Sequence, residues 1–329
     1  MATAQQLKAL LESYAHGDRG RFLSVASQIA AHASRTGKDR LAEDLRKLVD
    51  EAKRAADRPS ETPPAVPIAQ PMGELAGLVS ATFPKTSLAD MVLTDELSHR
   101  LQRVLREYRQ SGALAGHGLS PRRKLLLLGP PGCGKSMTAA ALAGELHLPL
   151  LTVQFHTLIT KFMGETAAKL RLIFDTMKRS RGVYLFDEFD AIGSQRHSGQ
   201  DVGEIRRVLN SFLVFLEQDD SKSLIIGASN LEASLDAALF RRFDDVIHYE
   251  MPSKQMTRRL IENRLAPFTI GRLSWTRIEE ACHGLSHADI TKACEDAAKA
   301  AVLDDRGTIR SEDLLVALRQ RQRTGRPQA

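Results

Sequence analysis

An unbroken leucine run at 125–128 opens directly into Gly129-Pro130-Pro131-Gly132-Cys133-Gly134-Lys135-Ser136, and a helix-forming stretch at 137–146 follows at once. A short apolar run bounded by turn residues reads as a fully buried strand. Strand, glycine-rich turn and helix in that order commit the region to a parallel sheet covered by helices. The turn fits the spacing G-x-x-x-x-G-K-[ST] without exception, in the structural context that separates a phosphate site from a chance match. Glycines let successive backbone N–H groups curl around one centre, and the helix start adds its positive dipole end. Lys135 is expected to neutralise β/γ-phosphate charge and the Ser136 hydroxyl to ligate Mg2+. ATP and Mg2+ are therefore the expected ligands, with residues from Gly129 to Met137 around the phosphates.

A second element lies in Val183-Tyr-Leu-Phe-Asp187-Glu188-Phe189-Asp190. Four apolar residues ending in acids make a buried strand whose carboxylates emerge at its C-terminal edge, where open α/β sheets bind ligands. Asp187 is placed to hold the Mg2+ shell, and Glu188 to orient and deprotonate the attacking water.

The 329 residues suffice for two or three domains. Cys133, Cys282 and Cys294 form no C-x-x-C pair and no zinc spacing, so a reducing compartment suits the chain. No apolar stretch reaches the length of a membrane helix, and the N-terminus lacks the pattern of a signal peptide. The cytoplasm is the expected location, with no membrane partner. Of the formal charge of +6, four units come from Arg319, Arg321, Arg323 and Arg326 in an acid-free C-terminal stretch. That stretch reads as a solvated basic tail, 321–329, and the nearly balanced remainder argues against nucleic acid as a partner.

Residues 1–57 carry apolar residues at helical spacing in three segments, a small helical unit expected to bind a protein substrate or effector. A linker at 58–73 holds five prolines within 57–71, which favours extended polyproline of roughly 3 Å per residue. From 74 to 252 strand candidates at 125–128, 150–153, 183–186, 224–228 and 246–249 alternate with helical stretches. Residues 253–320 are helical, with segments at 257–265, 275–281, 286–303 and 311–319.

Together these motifs resemble the AAA ATPases, the branch with FtsH-like, katanin-like and spastin-like motors, over roughly 85–320. The resemblance implies an α/β P-loop NTPase fold, a parallel five-stranded sheet with a C-terminal helical lid, to which the spacing at 1–57 adds a small N-terminal helical domain. It further implies a homo-oligomer, commonly a hexamer. Leu224-Ile-Ile-Gly-Ala-Ser-Asn230 looks like the strand whose Asn contacts the attacking water or γ-phosphate. Leu235-Asp-Ala-Ala-Leu-Phe-Arg241-Arg242-Phe243-Asp244 resembles the segment presenting arginines to a neighbour's γ-phosphate, with the roles of Arg241 and Arg242 left unranked. Lys161-Phe162-Met163-Gly164 matches the central-pore loop that grips an extended protein chain, and 196–200 a second pore loop. Cys282-His283-Gly284-Leu285-Ser286-His287-Ala288-Asp289 resembles the lid turn that leans on adenine and ribose. His283, Gly284 and Ala288 would face the nucleoside there, opposite the segment that contains Val92. His287 replaces a usual Gly, a departure that narrows the ribose pocket. The intersubunit segment at 215–220 departs too, and no H-E-x-x-H peptidase motif occurs.

The expected function is an ATP-hydrolysing motor that remodels, unfolds or translocates protein substrates through a pore. The alternative is an ATP-gated scaffold that controls a separate protease or nuclease. A nucleic-acid translocase is the least favoured reading.

Overall fold

The computed structural model describes residues 78–155, 158, 165–189, 202–232 and 235–324, together with Glu43 and Lys47. Apart from Glu43 and Lys47, the N-terminal helical unit lies outside the described residues, as do the linker, Asp190 and both pore-loop segments (161–164 and 196–200). The chain divides into two compact units, Met1–Pro67 and Ile68–Ala329. The second carries the motifs.

It begins with β1 (Val79–Thr82), α1 (Asp95–Arg109) and the short α2 (Ser111–Ala115). Next come β2 (Lys124–Leu128), α3 (Lys135–Leu146), β3 (Leu150–Gln154), α4 (Thr166–Arg179) and β4 (Val183–Asp187). The sheet region closes with α5 (Val202–Gln218), β5 (Leu224–Ser229), α6 (Ala237–Phe240) and β6 (Asp245–His248). Strand order is β1-β3-β4-β5-β2-β6, with β1 antiparallel and the other five parallel. The expected parallel sheet is present, but a sixth strand extends it. Residues 79–82 alternate in burial and lack an apolar run, so their strand character comes from edge pairing with β3. The last strand starts at Asp245 rather than 246, where Arg100 of α1 holds the Asp245 carboxylate at 2.5 Å and the Val246 carbonyl at 2.6 Å.

Strand residues alternate between two cores, as the two-residue period demands. Leu126, Leu128, Val153, Tyr184, Phe186 and Ile225 face α4 and α5. Leu125, Leu127, Val183, Leu185 and Ile226 face α1 and α3. The first core is built round Phe155, Phe174, Phe186, Phe189 and Phe212, whose rings meet in tilted, edge-on and stacked contacts, such as 4.8 Å between Phe155 and Phe189. Each buried aromatic of this kind contributes about 1.5–3 kcal/mol of transfer free energy. Helix α1 starts where Thr94 Oγ1 accepts the Leu97 N–H, and it buries the stripe Leu101, Val104, Leu105 and Tyr108.

The C-terminal part is a separate helical layer with its own core, formed by α7 (Lys254–Leu265), α8 (Trp275–Ala281), α9 (His287–Leu303) and α10 (Ser311–Thr324). A two-residue parallel pairing of β7 (Thr269–Ile270) with β8 (Thr308–Ile309) ties the α7–α8 connection to the α9–α10 connection. Ser286 and Asp289 form a reciprocal capping box at the start of α9. One expectation fails here. Residues 321–324 are not a solvated tail: α10 runs through Thr324, and Arg321 is held by Asp296 of α9 at 2.5 Å. Spacing along α10 hides this pairing, because the partner lies on another helix.

Gly144 lies inside α3, where alanine would ordinarily add helix propensity. A Cβ there would sit 2.1 Å from the Thr86 carbonyl oxygen. Gly144→Ala is therefore expected to lower the thermal midpoint by about 3–8 °C, since overpacking costs about 1–3 kcal/mol. A calorimetric scan checks this; a raised midpoint would mean that the 84–86 segment is not packed on α3.

Candidate nucleotide site

The parallel register brings the ends of β2, β4 and β5 to one edge. Leu128 pairs with Ser229, and Phe186 pairs with Gly227. The glycine-rich loop, the two acids and Asn230 therefore leave the sheet side by side.

The loop turns through left-handed backbone at Gly132 (φ 76°) and Gly134 (φ 101°). Gly134 is also the cap from which α3 starts, so the first N–H groups of that helix face the turn. A Cβ on Gly129 would lie 2.2 Å from the Tyr249 carbonyl oxygen, and one on Gly132 would lie 2.4 Å from Ser286 Oγ. Both glycines thus serve close approach, the first to the strand end and the second to the helical layer.

Lys135 is 7 % exposed. Its ammonium donates to the Gly129 carbonyl (2.7 Å), the Pro130 carbonyl (2.9 Å) and Asn230 Oδ1 (2.7 Å). A buried cation needs such partners, since an unpaired one is strongly disfavoured. Ser136 Oγ donates to Asp187 Oδ2 at 2.8 Å. The four polar side chains expected at the phosphates therefore stand as two contacting pairs. A hydroxyl and a carboxylate oxygen already adjacent are a hard-oxygen donor set that suits Mg2+.

Glu188 is exposed and sits at φ 57°, a left-handed conformation that costs a non-glycine residue about 1–2 kcal/mol. Its neighbours hold it there. The Glu188 N–H donates to Asp187 Oδ1 (2.9 Å), and Phe189, fully buried, donates its N–H to the Ala228 carbonyl (2.9 Å). The outcome is a carboxylate turned out of the strand direction at the sheet edge.

Arg241 and Arg242 differ sharply. Arg242 folds back, donating Nη1 to the Ala238 carbonyl at 3.0 Å with Nε 3.5 Å from Glu217. Arg241 is exposed, with no ion-pair partner among the described residues.

The helical layer reaches the loop through Ser286 and Ala288, whose N–H donates to the Gly132 carbonyl at 3.0 Å. His283 and Gly284 are exposed on the same turn, and the His283 carbonyl accepts from Gln322 at 3.3 Å. His287 is half-buried, its Nδ1 has no hydrogen-bond partner among the described residues, and burial holds its pKa below the ordinary value. Val92 is buried, while its neighbour Met91 approaches the loop, Cε lying 3.3 Å from where a Gly134 Cβ would stand. Met137 is exposed beside the loop. Cys133 is buried, with Sγ 3.7 Å from Met251 Sδ, and burial raises its thiol pKa.

Three residues at this site carry no motif signal: Thr138, Tyr249 and Met251. Thr138 and Tyr249 share a buried hydroxyl contact across 111 positions, which no local spacing reveals.

Residues 125–251 match the family described as ATPase family associated with various cellular activities (AAA). An AAA family ATPase of Sinorhizobium fredii, itself uncharacterized, is 33 % identical over 330 residues, 100 % of this chain and 98 % of that protein. A proteasome-activating nucleotidase of Methanoculleus marisnigri is 32 % identical over 209 residues, 61 % of this chain and 51 % of that protein. In structure, the crystallised FIGL-1 AAA domain is similar with a TM-score of 0.60 at 24 % identity, over 77 % of this chain and 87 % of that one. An end-to-end relative and a family match that spans the whole sheet edge lead to one conclusion: the chain belongs to the AAA family of ATPases, enzymes that bind and hydrolyse ATP.

Proposed function

We propose that the chain is a hexameric ATP-driven motor that remodels or translocates protein substrates. The observation that carries the chemistry is the pairing of Lys135 with Asn230 and of Ser136 with Asp187. Protein as the substrate class is supported by the similarity to a proteasome-activating nucleotidase and by the pore-loop resemblance of 161–164. Residues 1–57 would deliver the client or an effector.

In this reading the Lys135 ammonium exchanges its carbonyl partners for β- and γ-phosphate oxygens. Ser136 and Asp187 would hold Mg2+, which when bound withdraws charge from the phosphates. Glu188 orients the attacking water and accepts its proton, and the Asn230 amide positions that water. Arg241, exposed after α6, reaches the γ-phosphate held by the adjacent copy. A guanidinium there stabilises the charge of the transferring phosphoryl group. Arg242 stays with its own subunit and fixes the turn that presents Arg241. The nucleoside lies between the 90–93 segment and the lid turn 283–288, with Val92, Met137, His283, Gly284 and Ala288 around it. Lid movement then displaces Phe162 along the pore axis. No helix among the described residues is long and apolar enough to cross a membrane, and the cytoplasm is the proposed location.

Lys135→Ala is expected to weaken ATP binding at least about 30-fold, the loss of a charge-assisted contact. Glu188→Gln should bind ATP within about three-fold of the parent yet turn over at least about 100-fold more slowly. Nucleotide titration and phosphate release measure both; equal losses of binding in the two variants would reject the division of roles. Neither Arg241→Ala nor Lys135→Ala subunits should hydrolyse alone, whereas their mixture should recover activity at mixed interfaces. If mixing restores nothing, the arginine does not act on a neighbour. Phe162→Ala should keep ATPase activity within about two-fold and lose unfolding of a fluorescent reporter protein, a split expected where mechanical work is separate from nucleotide chemistry. Unchanged unfolding would remove the threading step and favour the scaffold reading.

A further inference from the structure

The segment that joins β6 to α7 touches the phosphate loop and both of its flanks. Tyr249 donates its N–H to the Leu128 carbonyl at 2.7 Å, and its own carbonyl packs on Gly129 so closely that a Cβ would collide. Met251 meets Cys133 sulfur to sulfur. The Tyr249 side chain adds a further contact, on the start of α3. Tyr249 Oη lies 2.6 Å from Thr138 Oγ1, both buried, and Thr138 Oγ1 lies 3.0 Å from the Gly134 carbonyl.

One proton order satisfies both contacts at once. A threonine hydroxyl has one hydrogen and the carbonyl can only accept, so in that order Thr138 donates to Gly134 and Tyr249 donates to Thr138. Met91 Sδ, 3.9 Å from the same hydroxyl, is a weak acceptor. The phenol keeps its proton, because burial pushes its pKa up to about 12 against the smaller opposing effects of Thr138 and Arg100. Gly134 needs such support. Its left-handed backbone orients the peptide that opens α3, and its carbonyl already accepts the Thr138 N–H at 2.8 Å. The hydroxyl contact fixes the tilt of that carbonyl from the side.

We propose that Tyr249 and Thr138 are positioning residues for ATP, a two-hydroxyl relay that holds the Gly134 peptide so that the loop N–H groups converge on the phosphates. The relay rests on the assignment of ATP to this loop. It also ties phosphate affinity to the placement of the segment that leads into the helical layer. The loop meets phosphate in both the ground and transition states, so loss of the relay acts as a loss of uniform binding. It raises KM and leaves kcat nearly alone.

The test is steady-state ATPase kinetics on the full chain with Tyr249→Phe, Thr138→Val, Thr138→Ser and the double variant Tyr249→Phe/Thr138→Val, at a temperature well below every midpoint. Thr138→Val should raise KM for ATP about 3- to 10-fold, the scale of one buried neutral hydrogen bond, with kcat within about two-fold. Thr138→Ser, which keeps the hydroxyl, should restore KM. Tyr249→Phe should raise KM by a smaller factor. The double variant should match Thr138→Val alone, because a phenol with no hydroxyl to donate to has nothing left to contribute. Lowered thermal midpoints with KM unchanged, KM factors that multiply in the double variant, or a serine that fails to rescue would each overturn the relay. ADP binding to the parent is the control: if the parent binds no nucleotide, the assignment of the loop has failed rather than the relay.

Discussion

A lysine ammonium with almost no contact with water governs this site. Lys135 projects from the first residue of α3 into a ring of oxygen atoms supplied by Gly129, Pro130 and Asn230. Burying such a charge is tolerable only with partners of good geometry, so the curl of the loop and the end of β5 are adjusted to one another. The place of β2, between β5 and the edge strand β6, follows the same logic. Only a strand flanked by β5 on one side and β6 on the other lets one loop meet both Asn230 and Tyr249. The loop is therefore shaped from three directions: by Asn230 at the end of β5, by the strand end that leads into the helical layer, and by the start of α9 on Gly132.

Much of this frame is legible in the sequence because the signals are local. The leucine run, the glycine spacing and the apolar residues before Asp187 each report a strand that ends at the same sheet edge. The parallel register then brings them together without further information. The helical stretch at 286–303 is legible in the same way, and the structure caps it with Ser286 and Asp289. What stays hidden depends on partners far away in sequence. Strand β1 has no hydrophobic run and exists through its ladder with β3. Arg321 looks like part of a solvated tail until Asp296 is placed beside it. Tyr249 reads as an ordinary strand residue, and Thr138 as one more polar residue in a helix. Their hydroxyl contact has no counterpart in any spacing rule.

Backbone conformation supplies a second kind of hidden information. The acid pair at 187–188 suggests a metal ligand beside a base. Nothing in its residue types says that Glu188 adopts a left-handed conformation. That conformation follows from Phe189, whose buried ring and N–H bond to Ala228 pull the chain one way while Asp187 stays in strand register. Two buried aromatic neighbours, Phe186 and Phe189, thus bracket the carboxylates and set their directions. A similar difference separates Arg241 from Arg242: adjacent identical residues, one bonded to its own α6 and facing Glu217, the other left open.

The small β7–β8 pairing has a mechanical meaning of its own. Two residues from each connection are stapled by backbone bonds, and Gly271 adds one more to Ile309. Helices α7 through α10 are consequently braced against shearing past one another, a single lever in form. Whatever rotation they undergo must be absorbed by the few residues between His248 and the serine that caps α7. The fulcrum of that lever is thus pressed against the glycine turn itself.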